Sequence, residues 1–319
     1  MATTTRHAID RTIDLDVNGS RQRIRLCTER EGQPPLLIVQ GGPGLPVLNE
    51  VRKFQRLLDL ERDFLVGYWE QRGCGDAPAR EAARVSMQQQ VADLRTVLRW
   101  FFEETNQRVI VLAISIGGTF ALQAAEHELE HLKAIVAVSP DSHTSIGDAA
   151  ADEFIRTEGV LARRRGLKRR AVGLPRPPYH NSAPLQQRAR VLADLGAIEN
   201  GKTFAALFKE LSFSLFRTYG LAGTARALRN MNLLQGRMMA QINSLDLFAN
   251  PPRVAVPVRY VFGERDALNP PAIVNRLPEA IGAPATTVTV VPDAGHMVHF
   301  DHPHIVRSIV VNASVGVSA

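Results

Sequence analysis

Three residues of this chain have the types, and follow in an order, that can turn an unreactive hydroxyl into a nucleophile: Ser115, Asp266 and His296. A serine hydroxyl needs a base to take its proton, and the base needs an acid that fixes its tautomer. Ser115 stands in Ala113-Ile-Ser115-Ile-Gly117-Gly118, Asp266 closes Gly263-Glu-Arg-Asp266, and His296 ends Pro292-Asp-Ala-Gly-His296. Asp141, one apolar run after the serine, is an alternative position for the acid. His299, His302 and His304 are rival bases by type, but they fall at the start of a helical pattern rather than in the loop. The histidine spacing lacks the supporting ligand cluster that a metal site needs, so no metal and no cofactor is expected.

The elements that must position these residues follow from hydrophobic period. Val109 to Ile114 is a continuous apolar, β-branched run, as a strand buried on both faces requires, and apolar residues at helical spacing follow from Thr119 to Leu132. Ser115 therefore sits at a sharp strand-to-helix corner. Further strands are predicted at 36–40, 64–69, 133–140, 256–262 and 286–291. Two opening strands, 9–17 and 21–27, alternate about the hairpin turn Asn18-Gly19. Amphipathic helices are predicted at 49–60, 87–104 and 271–281, with a last one from about Pro303. Strands and helices alternate, which implies an α/β fold with a mostly parallel, eight-stranded sheet and helices on both faces. Ser115, Asp266 and His296 each follow a predicted strand at its C-terminal end, the edge where open α/β sheets place their sites.

The alternation lapses between Asp141 and Pro252, where helical patterns are broken by Leu174-Pro-Arg-Pro-Pro-Tyr179 and by scattered glycines. Residues 141–252 read as an inserted helical cap, leaving 1–140 and 253–319 as the core domain. Acyl transfer also needs donors for a developing oxyanion. The amide of Ile116 and those of Gly41 and Gly42, in the turn Gln40-Gly-Gly-Pro43-Gly44, are the candidates.

Taken together, these motifs resemble the proline iminopeptidase family of α/β-hydrolases, over nearly the whole chain. That family shows His-Gly-Gly-Pro-Gly, Asp-Gln-Arg-Gly-x-Gly, Gly-x-Ser-x-Gly-Gly, Gly-x-x-Asp after the cap and a final Gly-His. The matching segments are Gln40 to Gly44, Glu70 to Gly75, Ala113 to Gly118, Gly263 to Asp266, and Gly295-His296. The resemblance implies the α/β-hydrolase fold and release of N-terminal aminoacyl groups through an acyl-enzyme. Gln40, Glu70 and Ala113 replace the family's histidine, aspartate and glycine, and Ile116 stands where peptidase members usually carry tryptophan. All the triad types are kept, while the departures fall where substrate specificity is set. In the family the carboxylates that hold a substrate ammonium come largely from the cap. The candidates here are Glu153, Glu158, Glu199 and Glu210, and Gln40, Glu70 and Glu210 are taken as substrate-binding.

Composition bounds the partners. At 319 residues, 45% hydrophobic and 22% charged, the chain can bury a large core. Its N-terminus has no signal-like apolar run and no segment is of membrane-spanning length, so a cytoplasmic protein without a membrane partner is expected. Cys27 and Cys74 read as free thiols. The net charge of +6 owes much to the run from Arg156 to Arg170, which lacks the aromatics or module of a nucleic-acid site and reads as a solvated helix face. The expected partner is a small molecule or short peptide, and the sequence leaves the oligomeric state open. An esterase or lactonase on the same triad is the alternative, and a ligand-binding protein of this fold is a reading of another class. Ser115 argues against epoxide hydrolases and dehalogenases, which need a carboxylate nucleophile. The absence of Gly-x-Gly-x-x-Gly argues against a dinucleotide enzyme.

Overall fold

The computed structural model describes residues 8–83, 85–161 and 165–315. Residues 1–7 of the N-terminal segment and Arg163 and Arg164 of the basic run lie outside them. Eight strands form one sheet: β1 Ile9–Val17, β2 Ser20–Thr28, β3 Pro35–Val39, β4 Leu65–Glu70, β5 Val109–Ile114, β6 Leu132–Val138, β7 Val258–Gly263 and β8 Thr287–Val291. Their order is β1-β2-β4-β3-β5-β6-β7-β8, antiparallel at the β1-β2 and β2-β4 pairs and parallel from β4 onward. The helices are α1 Val51–Leu58, α2 Ala79–Ala82, α3 Met87–Thr105, α4 Ile116–Ala125, α5 Thr144–Leu161, α6 Arg165–Val172, α7 Ser182–Asp194, α8 Phe204–Asn243, α9 Pro271–Ile281, α10 Val298–Asp301 and α11 Pro303–Ser314.

The continuous apolar strands are explained by cover on both faces. Leu37, Val39, Val111, Ala113, Ile135 and Phe262 pack on one side with Phe101 of α3, Phe120 of α4 and Leu277 of α9. Their neighbours Leu36, Ile38, Ile110, Leu112, Val136 and Val261 point the other way, onto Phe54 of α1 and Val306 and Val310 of α11. One apolar side chain per residue thus serves two cores, the side-chain period of two expected for a strand. The helix after Ser115 is shorter than its periodicity suggested. It begins at Ile116, ends at Ala125, and leaves Leu129 exposed in the following turn.

Residues 144–243 hold α5 to α8, and no strand among the described residues. Gly220 interrupts α8 with φ 67° and ψ −175°, a conformation that suits glycine, so its two halves run in different directions. The second half lies on the core: Asn230 Nδ2 donates to the carbonyls of Gly75 and Ala77. In the basic run, Lys168, Arg169 and Arg170 are exposed and Arg170 pairs with Asp194. Among the described residues no helix is long and apolar enough to cross a membrane.

One buried ion pair ties the turn of the opening hairpin to the loop after β4 and to α3. Arg72 donates to both carboxylate oxygens of Asp93 on α3 and to the carbonyls of Val17 and Asn18. Asp93 also accepts from Asn18, Gln22 and Gln89. Asp93→Ala would leave the buried Arg72 guanidinium with only the longer 3.7 Å contact to Glu81 as counter-charge. It should cost about 3–5 kcal/mol of stability, measured by urea unfolding.

Candidate active site

Ser115 occupies the corner between β5 and α4 with φ 53° and ψ −128°, a strained backbone for a residue with a Cβ. Its neighbours hold it there: Ser115 N donates to Val138 O at 2.9 Å, and Ser115 O accepts from Gly118 N at 2.8 Å. Small residues are required by close approach. A Cβ on Gly117 would lie 2.5 Å from Val39 O, and one on Gly118 would lie 2.7 Å from Pro140 Cβ. The alanine that departs from the family pattern, Ala113, is the last but one residue of β5, buried between Val39 and Ala137.

The loops after β7 and β8 carry the other two residues. They touch so closely that a Cβ on Gly263 would fall 2.1 Å from Gly295 O. His296 Nε2 lies 2.9 Å from Ser115 Oγ, and His296 Nδ1 lies 3.0 Å from Asp266 Oδ2. With Nδ1 donating to Asp266, Nε2 is left as the acceptor for the Ser115 hydroxyl. Asp266 is further fixed by Leu268 N at 3.0 Å and Asn269 Nδ2 at 2.9 Å. Burial raises the Asp266 carboxyl, but the His296 charge and these hydrogen bonds outweigh it and hold it below the usual carboxylate value. Burial lowers His296, and the Asp266 charge and hydrogen bond, helped by Asp141, overcome this and raise it above the ordinary imidazole value.

Two supports escaped the sequence reading. Asn269, three residues after Asp266, has no motif of its own. Asn269→Ala removes a hydrogen bond to a charged acceptor, of about 1.5–3 kcal/mol. It should lower kcat/KM about ten- to a hundredfold without unfolding the chain, as read by steady-state kinetics beside circular dichroism. The second is the loop between α7 and α8: Ala197 O and Ile198 O accept from His296 N and Met297 N, both at 2.8 Å. This loop thereby clamps the backbone that presents the base, a contact between distant segments.

The corner opens into a cavity of about 280 Å³. Gly41, Gly42, Ser115, Asp141, Arg188 and His296 line it, with apolar walls from Leu45, Ile114, Leu192 and Ile273. Ile116 opens α4, and the first amides of a helix have no acceptor within it, so its N–H is available to an oxyanion. Gly41 N–H is instead directed to Gln40 Oε1 at 3.3 Å, which leaves Gly42 as the stronger donor candidate from this turn.

The three residues taken as substrate-binding do not line this cavity. Gln40 is buried, its side chain accepting from Gly41 N and its carbonyl from Gln71 Nε2 at 2.9 Å, so it shapes the glycine turn. Glu70 is buried, accepts from Leu48 N and Tyr219 Oη, both at 2.9 Å, and ties the loop after β3 to α8. Glu210 is half exposed and bonded to Lys202 at 2.7 and 2.8 Å. Motif position reported each residue type correctly, but local hydrogen bonds consume all three. Of the other cap carboxylates, Glu199 pairs with Lys53 and Lys202, and Glu153 and Glu158 lie away from the cavity wall. Among the rival histidines, His299 is buried and stacked on Phe54 at 5.7 Å between centroids, and His302 precedes α11.

The α/β-hydrolase fold family matches residues 34–303, and the chain belongs to it and is a hydrolase. A probable aminopeptidase of Bacillus subtilis, YbaC, is 22% identical over 299 residues, covering 92% of each chain. The crystal structure of a proline iminopeptidase from Mycobacterium smegmatis superposes with a TM-score of 0.66 at 19% identity, over 95% of this chain and 97% of that one. A proline iminopeptidase-related protein from Thermus thermophilus gives 0.63 at 19% identity, over 96% and 98%. The resemblance expected from the motifs is therefore met in the fold.

Proposed function

We propose that the protein is a serine hydrolase that takes the acyl group of a small amide or ester onto Ser115 and passes it to water. The observation that carries this reading is the unbroken relay from Ser115 Oγ through His296 to Asp266 at the wall of a largely apolar cavity. Ser115 Oγ attacks the carbonyl carbon while His296 Nε2 takes its proton. The negative charge that forms on the carbonyl oxygen faces the Ile116 and Gly42 amides, and Asp266 stabilises the imidazolium. On collapse, His296 returns the proton to the departing amine or alcohol, leaving an ester on Ser115. A water molecule, deprotonated by His296, then attacks that ester and frees the acid. The volume suits a small acyl group, at the lower end for ligand pockets.

An N-terminal aminoacyl substrate is favoured by the relatives of that name, and an esterase on the same residues by Glu199 and Glu210 being paired with lysines. Buried free thiols at Cys27 and Cys74 suit a reducing, cytoplasmic compartment. A panel of aminoacyl naphthylamides and short-chain nitrophenyl esters tests the reading. Turnover of at least one class with an initial burst supports it, whereas stoichiometric binding without product overturns it.

A further inference from the structure

Among the described residues, Asp141 and His296 are the side chains within hydrogen-bond distance of Ser115 Oγ, and the relay uses only His296. Asp141 Oδ2 lies 3.5 Å from Ser115 Oγ, but the single serine proton is directed to His296 at 2.9 Å. The Nδ1 of His296 is already taken by Asp266, so Asp141 does not orient the base. Among the described residues no other side chain hydrogen bonds to its carboxylate, and Thr119 Oγ1 donates to its backbone carbonyl only. The nearest cation in the cavity, Arg188, is buried and engaged by Asp148. His143 lines the same wall, with Nδ1 accepting from Ile146 N and Nε2 facing Asp246. One carboxylate thus faces the reacting atom with the 3.5 Å Ser115 contact as its one side-chain hydrogen bond among the described residues, and there it opposes the negative charge of the tetrahedral intermediate.

We propose that Asp141 receives the α-ammonium group of the acyl moiety, which selects aminoacyl over simple acyl substrates. This rests on the hydrolase reading above and deepens it. With N–Cα of 1.46 Å and Cα–C of 1.52 Å, an α-nitrogen sits about 2.5 Å from the carbonyl carbon. That carbon must lie about 3–3.5 Å from Ser115 Oγ before attack. A carboxylate oxygen 3.5 Å from the same Oγ can therefore be met at hydrogen-bond distance by the ammonium when the Cα–N bond turns toward it. An ammonium there also cancels the charge that would otherwise raise the barrier. Of the cap glutamates, Glu199 and Glu210 are paired with Lys53 and Lys202, and Glu153 and Glu158 do not line the cavity. Burial pushes the Asp141 carboxyl up to about 6, against the opposing pull of His296 and Arg188 and with the support of Asp266, so the selectivity should fade as pH falls through that value.

The test compares matched pairs at pH 7: methyl esters of glycine, alanine, proline and leucine against the methyl esters lacking only the amino group. The native enzyme should favour the amino member of its best pair by about a hundredfold or more in kcat/KM. In Asp141→Asn that ratio should fall to about threefold or less. Labelling of Ser115 by a fluorophosphonate reports whether the variant is folded. On the native enzyme, alaninol should inhibit at concentrations at least about tenfold lower than 1,2-propanediol, its neutral counterpart, which keeps the test independent of the variant. A ratio unchanged by the substitution, or equal inhibition by the two alcohols, overturns the role of Asp141 and leaves the hydrolase reading standing. No hydrolysis of any ester together with no labelling overturns both.

Discussion

Ser115→Ala should lower kcat by about a millionfold, because the residues of a serine relay act as a unit and the remainder supplies only binding and oxyanion donors. The loss is one of chemistry. Alanine keeps the Cβ and hence the same positive-φ backbone, so unfolding by urea should be little changed. Ser115→Gly should be equally inactive but more stable than Ser115→Ala by about 1 kcal/mol, as the relief of strain at φ 53° exceeds the entropic cost of glycine. Steady-state kinetics and denaturation of the two variants side by side check this. Activity above about one per cent in either would move the nucleophile elsewhere.

Asp266→Asn should lower kcat/KM about ten-thousandfold while preserving the geometry, since an amide in that place stabilises the wrong imidazole tautomer and no longer stabilises the imidazolium. A second readout is the pH profile. Native His296 is held above the ordinary imidazole value, and catalysis needs it neutral, so activity should rise with pH to a midpoint above about 6.5. Removing the Asp266 charge deletes the chief cause of that elevation, and the midpoint should move to lower pH even as the rate falls. A profile that stays in place would assign the limb to another group.

The parts of the site that were legible in the sequence are those whose position is dictated locally. Val109 to Ile114 read as a doubly buried strand from its continuous β-branched run, and the small residues Gly117 and Gly118 left Ser115 at a tight corner, where the structure has it. Asp266 and His296 were legible because each ends a strand-and-turn unit, and the parallel sheet brings the ends of β5, β7 and β8 to one edge. The surroundings of Gln40, Glu70 and Glu210 were not legible for the opposite reason. Their partners, Gly41 with Gln71, Leu48 with Tyr219, and Lys202, are set by the packing of loops and cap, which periodicity does not report. Asp141 shows the limit from the other side. The sequence presented it as a rival acid, while the structure places it against the nucleophile with the base already served.

The most direct test of the account is covalent capture of the nucleophile. The native protein, treated with a fluorophosphonate at neutral pH and analysed by intact mass and peptide mapping, should gain one adduct, on the peptide containing Ser115. The adduct should be absent from Ser115→Ala. An adduct on a different residue, or none from a preparation that still hydrolyses its ester substrate, would contradict the assignment of Ser115 as the acyl-accepting group.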